Sequence, residues 1–262
     1  MSASGNDFIL IDNRDGRVNS QFADVKDLVV KICRRRHSVG ADGLILIEKS
    51  ESHDFRWRFF NSDGSEAEMC GNGGRCAARF AYMKGIAKDK ITFETAVGVI
   101  KATVHGSRVK LQLTQPEALK LDYPIKLEDK EIFISSVNTG VPHAILIVDD
   151  TERIPVQELG RTLRYHGAFG EKGTNVDFVE IIDKHHVKIR TYERGVEGET
   201  FACGTGAVAA GVVLKEKKLI KTPVNVETKG GELLKVYVGD EVYLEGETRI
   251  IYEGLLHEEA LL

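Results

Sequence analysis

Two stretches decide how this chain is read: Cys70-Gly-Asn-Gly-Gly-Arg-Cys-Ala-Ala-Arg-Phe-Ala-Tyr-Met83 and Cys203-Gly-Thr-Gly-Ala-Val-Ala-Ala-Gly-Val-Val-Leu214. Each opens with Cys-Gly-x-Gly and runs into a segment, 76–83 or 207–214, that is apolar nearly all round. A helix of that kind belongs inside something. The stretches sit 133 residues apart, and what precedes them repeats as well. Arg58-Phe-Phe-Asn61 corresponds to Arg190-Thr-Tyr-Glu193 at an offset of 132. The amphipathic segment Val25, Leu28, Val29, Ile32, Cys33 corresponds to Val156, Leu159, Leu163, and Phe8–Ile11 to Ala144–Ile147. Four features recurring in one order at nearly one spacing are the signature of an internal duplication.

The duplication predicts two similar halves of mixed α+β class. Strands are expected at 8–12, 43–48, 55–60, 91–95, 97–104 and 108–114, and again at 131–137, 144–148, 176–182, 186–192, 224–228, 232–238 and 241–245. They are short, β-branched or aromatic, and joined by turn residues, which favours antiparallel pairing. The simplest container for each apolar helix is the set of strands in its own half, wrapped into a barrel-like sheet. The first half is expected over 1–114, with residues from about 248 to 262 free to return to it, and the second over 115–247. Residues 115–124 hold two of the five prolines and read as the linker.

Composition narrows the class. The 262 residues carry a net charge of −4, which argues against a nucleic-acid footprint. No apolar run reaches the ~18 residues of a membrane span or fits the core of a signal peptide. The four cysteines are irregularly spaced, reading neither as a disulfide framework nor as a paired zinc site. A reducing, cytoplasmic setting is expected.

The chemistry concentrates at Cys70 and Cys203. Glycines let backbone approach a ligand, and first-turn amides with the helix dipole form an anion site. The same field is expected to lower a thiol pKa there. The two helix starts, brought face to face across a pseudo-twofold axis, would suit taking a proton from one face of a carbon and returning it to the other. Cys33 and Cys76 keep the ordinary reading of small buried hydrophobes. Gly204–Ala209 also matches a relaxed dinucleotide pattern. The charged loop Glu193–Thr200 before it is not the apolar strand that motif needs.

Gly5-Asn-Asp-Phe-Ile-Leu-Ile-Asp12, the run from Phe60 to Arg75, and Glu193-Arg-Gly with Ala202-Cys-Gly-Thr-Gly206 together resemble the diaminopimelate epimerase family, in register over essentially the whole chain. Proline racemase-type enzymes share the two-cysteine fold but carry His where this chain has Asn72. The resemblance implies two pseudo-symmetric halves and a cofactor-independent, metal-free epimerase interconverting LL- and meso-diaminopimelate, on the route to lysine and peptidoglycan. It implies a small-molecule substrate bound in the cleft between the halves, and it is compatible with a homodimer. Cys70 and Cys203 would be the acid/base pair. Gly71, Asn72, Gly204 and Thr205 would hold the reacting carboxylate. Asn6, Asn61, Asn175, Glu193 and Arg194 would hold the rest of the substrate. His143 and Glu193 would tune the thiols. The bland readings are a turn residue after Pro142 for His143, turn chemistry for the asparagines, and a solvated pair for Glu193 and Arg194.

Three departures from the family pattern stand out. The chain begins four residues before Gly5, where the family usually has a longer first strand, so one edge of the first sheet is expected to be weaker. Gly43 stands where the family often has Gln, and Val141 where many members have Asn. The open alternatives are a same-fold racemase for another amino acid and a non-catalytic amino-acid-binding protein.

Overall fold

The computed structural model describes residues 1–128 and 130–262. It divides into two compact units, residues 1–111 with 246–262, and residues 112–245.

In the first unit the chain order is β1 (Ser2–Ala3), β2 (Asn6–Asp12), α1 (Arg17–Gln21), α2 (Val25–Cys33), β3 (Gly43–Glu48), β4 (Phe55–Asn61), β5 (Glu66–Ala67), α3 (Gly71–Met83), β6 (Lys90–Thr95), β7 (Gly98–His105) and β8 (Arg108–Gln112). Antiparallel pairs join β1 to β2, β3 to β4, β4 to β5, β6 to β7 and β7 to β8. Two pairs are parallel, β2 with β3 and β4 with β6. Each parallel pair spans a helix, as a same-direction return requires.

α2 starts because Asp24 accepts the amide of Lys26 at its N-cap, 2.8 Å away. Its inner face buries Leu28, Val29, Ile32 and Cys33 against Leu44, Leu46 and Phe60. Each such aliphatic or aromatic side chain contributes roughly 1.5–3 kcal/mol by leaving water. α3 packs on β1, β2, β3 and β7. It begins at Gly71, five residues before the expected apolar segment. It is not apolar throughout, because Arg75 is fully buried and donates to the side-chain Oδ1 of Asn72, 2.9 Å away, and to the Ser4 hydroxyl.

The second unit repeats the scheme with β9 (Glu117–Lys126), β10 (Glu131–Asn138), β11 (Pro142–Ile147), α4 (Val156–Arg164), β12 (Asn175–Asp183), β13 (His186–Glu193), β14 (Gly198–Thr200), α5 (Gly204–Glu216), β15 (Val224–Thr228), β16 (Leu233–Val238) and β17 (Val242–Glu247). The parallel pairs are again the two that span helices, β11 with β12 and β13 with β15. The others are antiparallel. α4 lays Val156 and Leu163 on Ala144, Phe178 and Tyr192. It comes so close that a Cβ on Gly160 would sit 2.5 Å from Tyr192 Cβ. α5 is buried along nearly its whole length, against β10, β11, β12 and β16.

The α+β class and the sheet-dominated architecture expected from the sequence are present. One expectation is corrected. Residues 115–124, read as the linker, fall largely within β9, which runs from Glu117 to Lys126 and pairs with β10. Pro124 is tolerated opposite Phe133, and the pairing slips further along, between Ile134 and Ser136 and again before Asn138. A strand with such irregularities accepts a proline that a regular ladder would not.

Candidate active site

Cys70 is the N-cap of α3, in extended backbone, and its sulfur accepts the amide of Gly73 at 3.4 Å. Immediately behind it, Asn72 is buried and fully engaged. Its amide nitrogen donates to Asn6 Oδ1 at 2.8 Å, and its own Oδ1 accepts from Arg75. Asn6 in turn donates to Asp42 Oδ2 at 2.9 Å. Arg35 closes this chain with hydrogen bonds to Asp7 and Asp42. Asn6 and Asn72 are therefore held by one continuous network, and both lie beside the Cys70 helix start. Asn61 stands apart from that network. It is exposed at the end of β4 and donates to the Ser65 hydroxyl at 3.0 Å.

Cys203 is the N-cap of α5 and is almost fully buried. Its sulfur lies 3.4 Å from the Thr205 hydroxyl, which lies 3.0 Å from His143 Nε2. His143 is fully buried in β11, so it is not a turn residue. Its Nδ1 is 2.6 Å from Asp177 Oδ2. Asn175 is also buried. It donates to the Pro142 carbonyl at 3.0 Å and accepts the Arg194 amide at 2.8 Å, so it fixes the backbone at Arg194. The half-buried Arg194 guanidinium has no hydrogen bond or ion pair among the described residues, unlike Arg190 and Arg164, which pair with Glu199 and Glu197. A cation held in place by its backbone but unpaired at its head is suited to a carboxylate ligand.

The thiols do not behave as the helix field alone predicts. Burial pushes Cys70 up despite the amides of Gly73 and Asn72. Burial, reinforced by Asp177 and Glu193, pushes Cys203 up to about 12. The helix start does pull downward, as expected, but removing a thiolate from water costs more than two or three amides return. Burial therefore favours the neutral thiol at both positions. Burial also raises the Glu193 carboxyl, and the nearby Asp177 adds to the shift.

The residue that sequence reasoning missed is Asp177. Its carboxylate is completely buried in β12. The only sequence signal for it is a charged residue inside an otherwise apolar strand, Val176-Asp-Phe-Val179.

The family model for diaminopimelate epimerase matches residues 1–119 and 135–251. The chain belongs to the diaminopimelate epimerase family. The diaminopimelate epimerase of Aquifex aeolicus is 48% identical to it, over 100% of this chain and 98% of that one. The diaminopimelate epimerase of Archaeoglobus fulgidus is 37% identical, over 98% and 94%. The fold likeness reaches beyond diaminopimelate epimerases. A Bacillus anthracis phenazine biosynthesis protein of the PhzF family superposes with a TM-score of 0.69 at 18% identity, covering 94% of this chain and 92% of that one. A hydroxyproline epimerase from Agrobacterium vitis gives 0.64 at 16%, covering 94% and 87%. No helix among the described residues of this diaminopimelate epimerase family member is long and apolar enough to cross a membrane.

Proposed function

We propose that this isomerase interconverts LL- and meso-diaminopimelate by proton transfer at Cα, with Cys70 and Cys203 as the two bases. The carrying observation is that each unit places a cysteine at the N-cap of a buried helix, in a chain matched end to end by diaminopimelate epimerases. One thiolate takes the Cα proton and becomes a thiol. The other thiol gives its proton to the opposite face and becomes the thiolate. The enzyme ends with the two roles exchanged, so the pair titrates as a unit.

The reacting carboxylate gains charge as the proton leaves. The first-turn groups of Gly71, Asn72, Gly204 and Thr205 are proposed to receive it, since such donors stabilise charge developing in the transition state. Arg194, backed by Asn175, is proposed to grip the distal carboxylate, with Asn6, Asn61 and Glu193 completing the substrate contacts. His143 and Glu193 are proposed to set the thiol and amino-group protonation. No cofactor or metal is assigned a role.

The test is an NMR time course in D₂O with reduced protein, LL-diaminopimelate, EDTA and no pyridoxal phosphate. Deuterium entering one Cα together with the meso isomer supports the reading. Binding without exchange would refute it.

Four free thiols fit a cytoplasmic location. Exposed Ile251, Tyr252 and Leu255 near the C-terminus fit a homodimer, which light scattering on the purified protein would test.

A further inference from the structure

Behind Cys203 a line of polar groups runs into the sheet of the second unit. Cys203 Sγ meets the Thr205 hydroxyl at 3.4 Å, that hydroxyl meets His143 Nε2 at 3.0 Å, and His143 Nδ1 meets Asp177 Oδ2 at 2.6 Å. The other oxygen of Asp177 accepts the Thr191 hydroxyl at 2.6 Å. His143 and Asp177 are completely shielded from solvent. Asp177, Glu193 on β13 and Cys203 on α5 are the titratable groups facing His143 from the elements packed on it.

Donor and acceptor chemistry fixes the direction of this line. An ionised Asp177 only accepts, so the Nδ1 beside it carries a proton. In neutral His143, Nε2 is then an acceptor, and the Thr205 hydroxyl donates to it. The threonine oxygen is left to accept from the Cys203 S–H. Each donor points one step further from the sulfur.

We propose that the Thr205 hydroxyl carries the proton between Cys203 and His143, and that Asp177 is a positioning residue that keeps Nε2 of His143 facing Thr205 as the acceptor. This rests on Cys203 being one of the two bases. In the transfer the S–H bond breaks as a new O–H bond forms on Thr205, and the original Thr205 O–H bond breaks as Nε2–H forms. The products are a thiolate that accepts the Thr205 O–H and an imidazolium whose charge Asp177 offsets. No electron pair leaves the site and no oxidant is needed. Burial favours the neutral thiol in the resting protein, so an internal acceptor gives the Cys203 proton somewhere to go when substrate arrives.

The first unit has no such line. The corresponding helix position is Asn72, which donates to Asn6, which donates to Asp42. Carboxamides hold geometry but do not pass a proton at neutral pH. The relay is thus a property of the Cys203 half alone.

The full chain tests this with ¹⁵N NMR of histidine and with steady-state kinetics on D177N, T205V and T205S. Wild type is expected to show His143 protonated at Nδ1. D177N is expected to move that proton to Nε2 and to lower kcat about 30–100-fold, with KM changed by less than about threefold. T205V is expected to lose kcat to a similar degree, and T205S, which keeps the hydroxyl, to restore it to within about threefold. Wild-type kcat in either D177N or T205V overturns the relay. A slow D177N whose tautomer is unchanged overturns the positioning role. If D177N does not fold, the Thr205 pair decides alone. An inactive wild type would instead sink the epimerase reading, so the two failures are separable.

Discussion

Gly206 lies so close to Asp177 that a Cβ on it would stand 2.4 Å from the Asp177 Oδ1. That oxygen cannot swing aside, because it accepts from Thr191 while its partner oxygen is held on His143. The second glycine of the second Cys-Gly-x-Gly is therefore required by a buried carboxylate packed on the first turn of α5. In the first unit the equivalent Gly73 faces the tip of Ile45, with Cδ1 3.2 Å from a Cβ, which a small rotation relieves. Gly206→Ala is expected to destabilise by about 1–3 kcal/mol and to disturb His143, whereas Gly73→Ala costs less than about 1 kcal/mol. Urea melts of the two variants check this, and equal losses would refute it.

On the two-base reading proposed above, replacing either cysteine should stop the reaction. Cys70→Ala and Cys203→Ala each remove one partner from a transfer that needs both, and general acid–base groups supply about 10²–10⁴-fold or more. Each variant is expected to form meso isomer at no more than about one-thousandth of the wild-type rate. Normal turnover by either would end the two-base reading.

The duplication made much of this legible beforehand. Repeated features at one spacing announced two halves, and the strand segments fall close to their expected places because short β-branched runs between turn residues leave few alternatives. α2 and α4 follow from apolar residues at helical spacing. Long-range facts stayed hidden. That β9 pairs with β10 depends on a partner strand rather than on its own proline-bearing sequence. The parallel pairs depend on crossovers through helices. Thiol acidity is not legible in the sequence, because the helix field is local and readable, whereas burial is set by the whole sheet around the cysteine. Asp177 was missed for the same reason, since nothing beside it in sequence names His143 as its partner.

Gly43 shows what a departure from the family pattern means physically. A Cβ there would be 2.4 Å from the Phe60 carbonyl oxygen and 2.7 Å from the Phe59 ring. No side chain fits at this position of β3 unless the neighbouring strand gives way. Gly43→Gln is expected to lower stability by at least about 2 kcal/mol. It should not improve KM for diaminopimelate. A variant of unchanged melting temperature with tighter substrate binding would show that the strand yields.

The raised thiols make a signed pH prediction. A free cysteine titrates near ~8.5, but Cys203 is pushed up to about 12 and Cys70 is also raised. In substrate-free protein the reactive thiolate is therefore expected to be scarce at pH 8 and to grow as pH rises. Iodoacetamide labelling of the Cys203 peptide, followed by mass spectrometry, is expected to climb about tenfold per pH unit from 7 to 10. A plateau by pH 8 would place the thiolate in the resting protein.

Arg194 tests recognition rather than chemistry. Its backbone is pinned by Asn175, and its guanidinium is unpaired among the described residues, so a planar carboxylate of the substrate can take both of its parallel N–H donors. Lysine keeps the charge but offers a single point donor. Arg194→Lys is expected to cost about 1–2 kcal/mol of binding, or a rise in KM of roughly 5–30-fold with kcat held within about threefold. Glu193, next to it, would stay in place, so thiol behaviour should not change, and the labelling profile of Cys203 should overlay that of wild type. A fall in kcat with KM unchanged would move Arg194 from holding the substrate to acting on the reacting carbon, and would leave the distal carboxylate without an assigned partner.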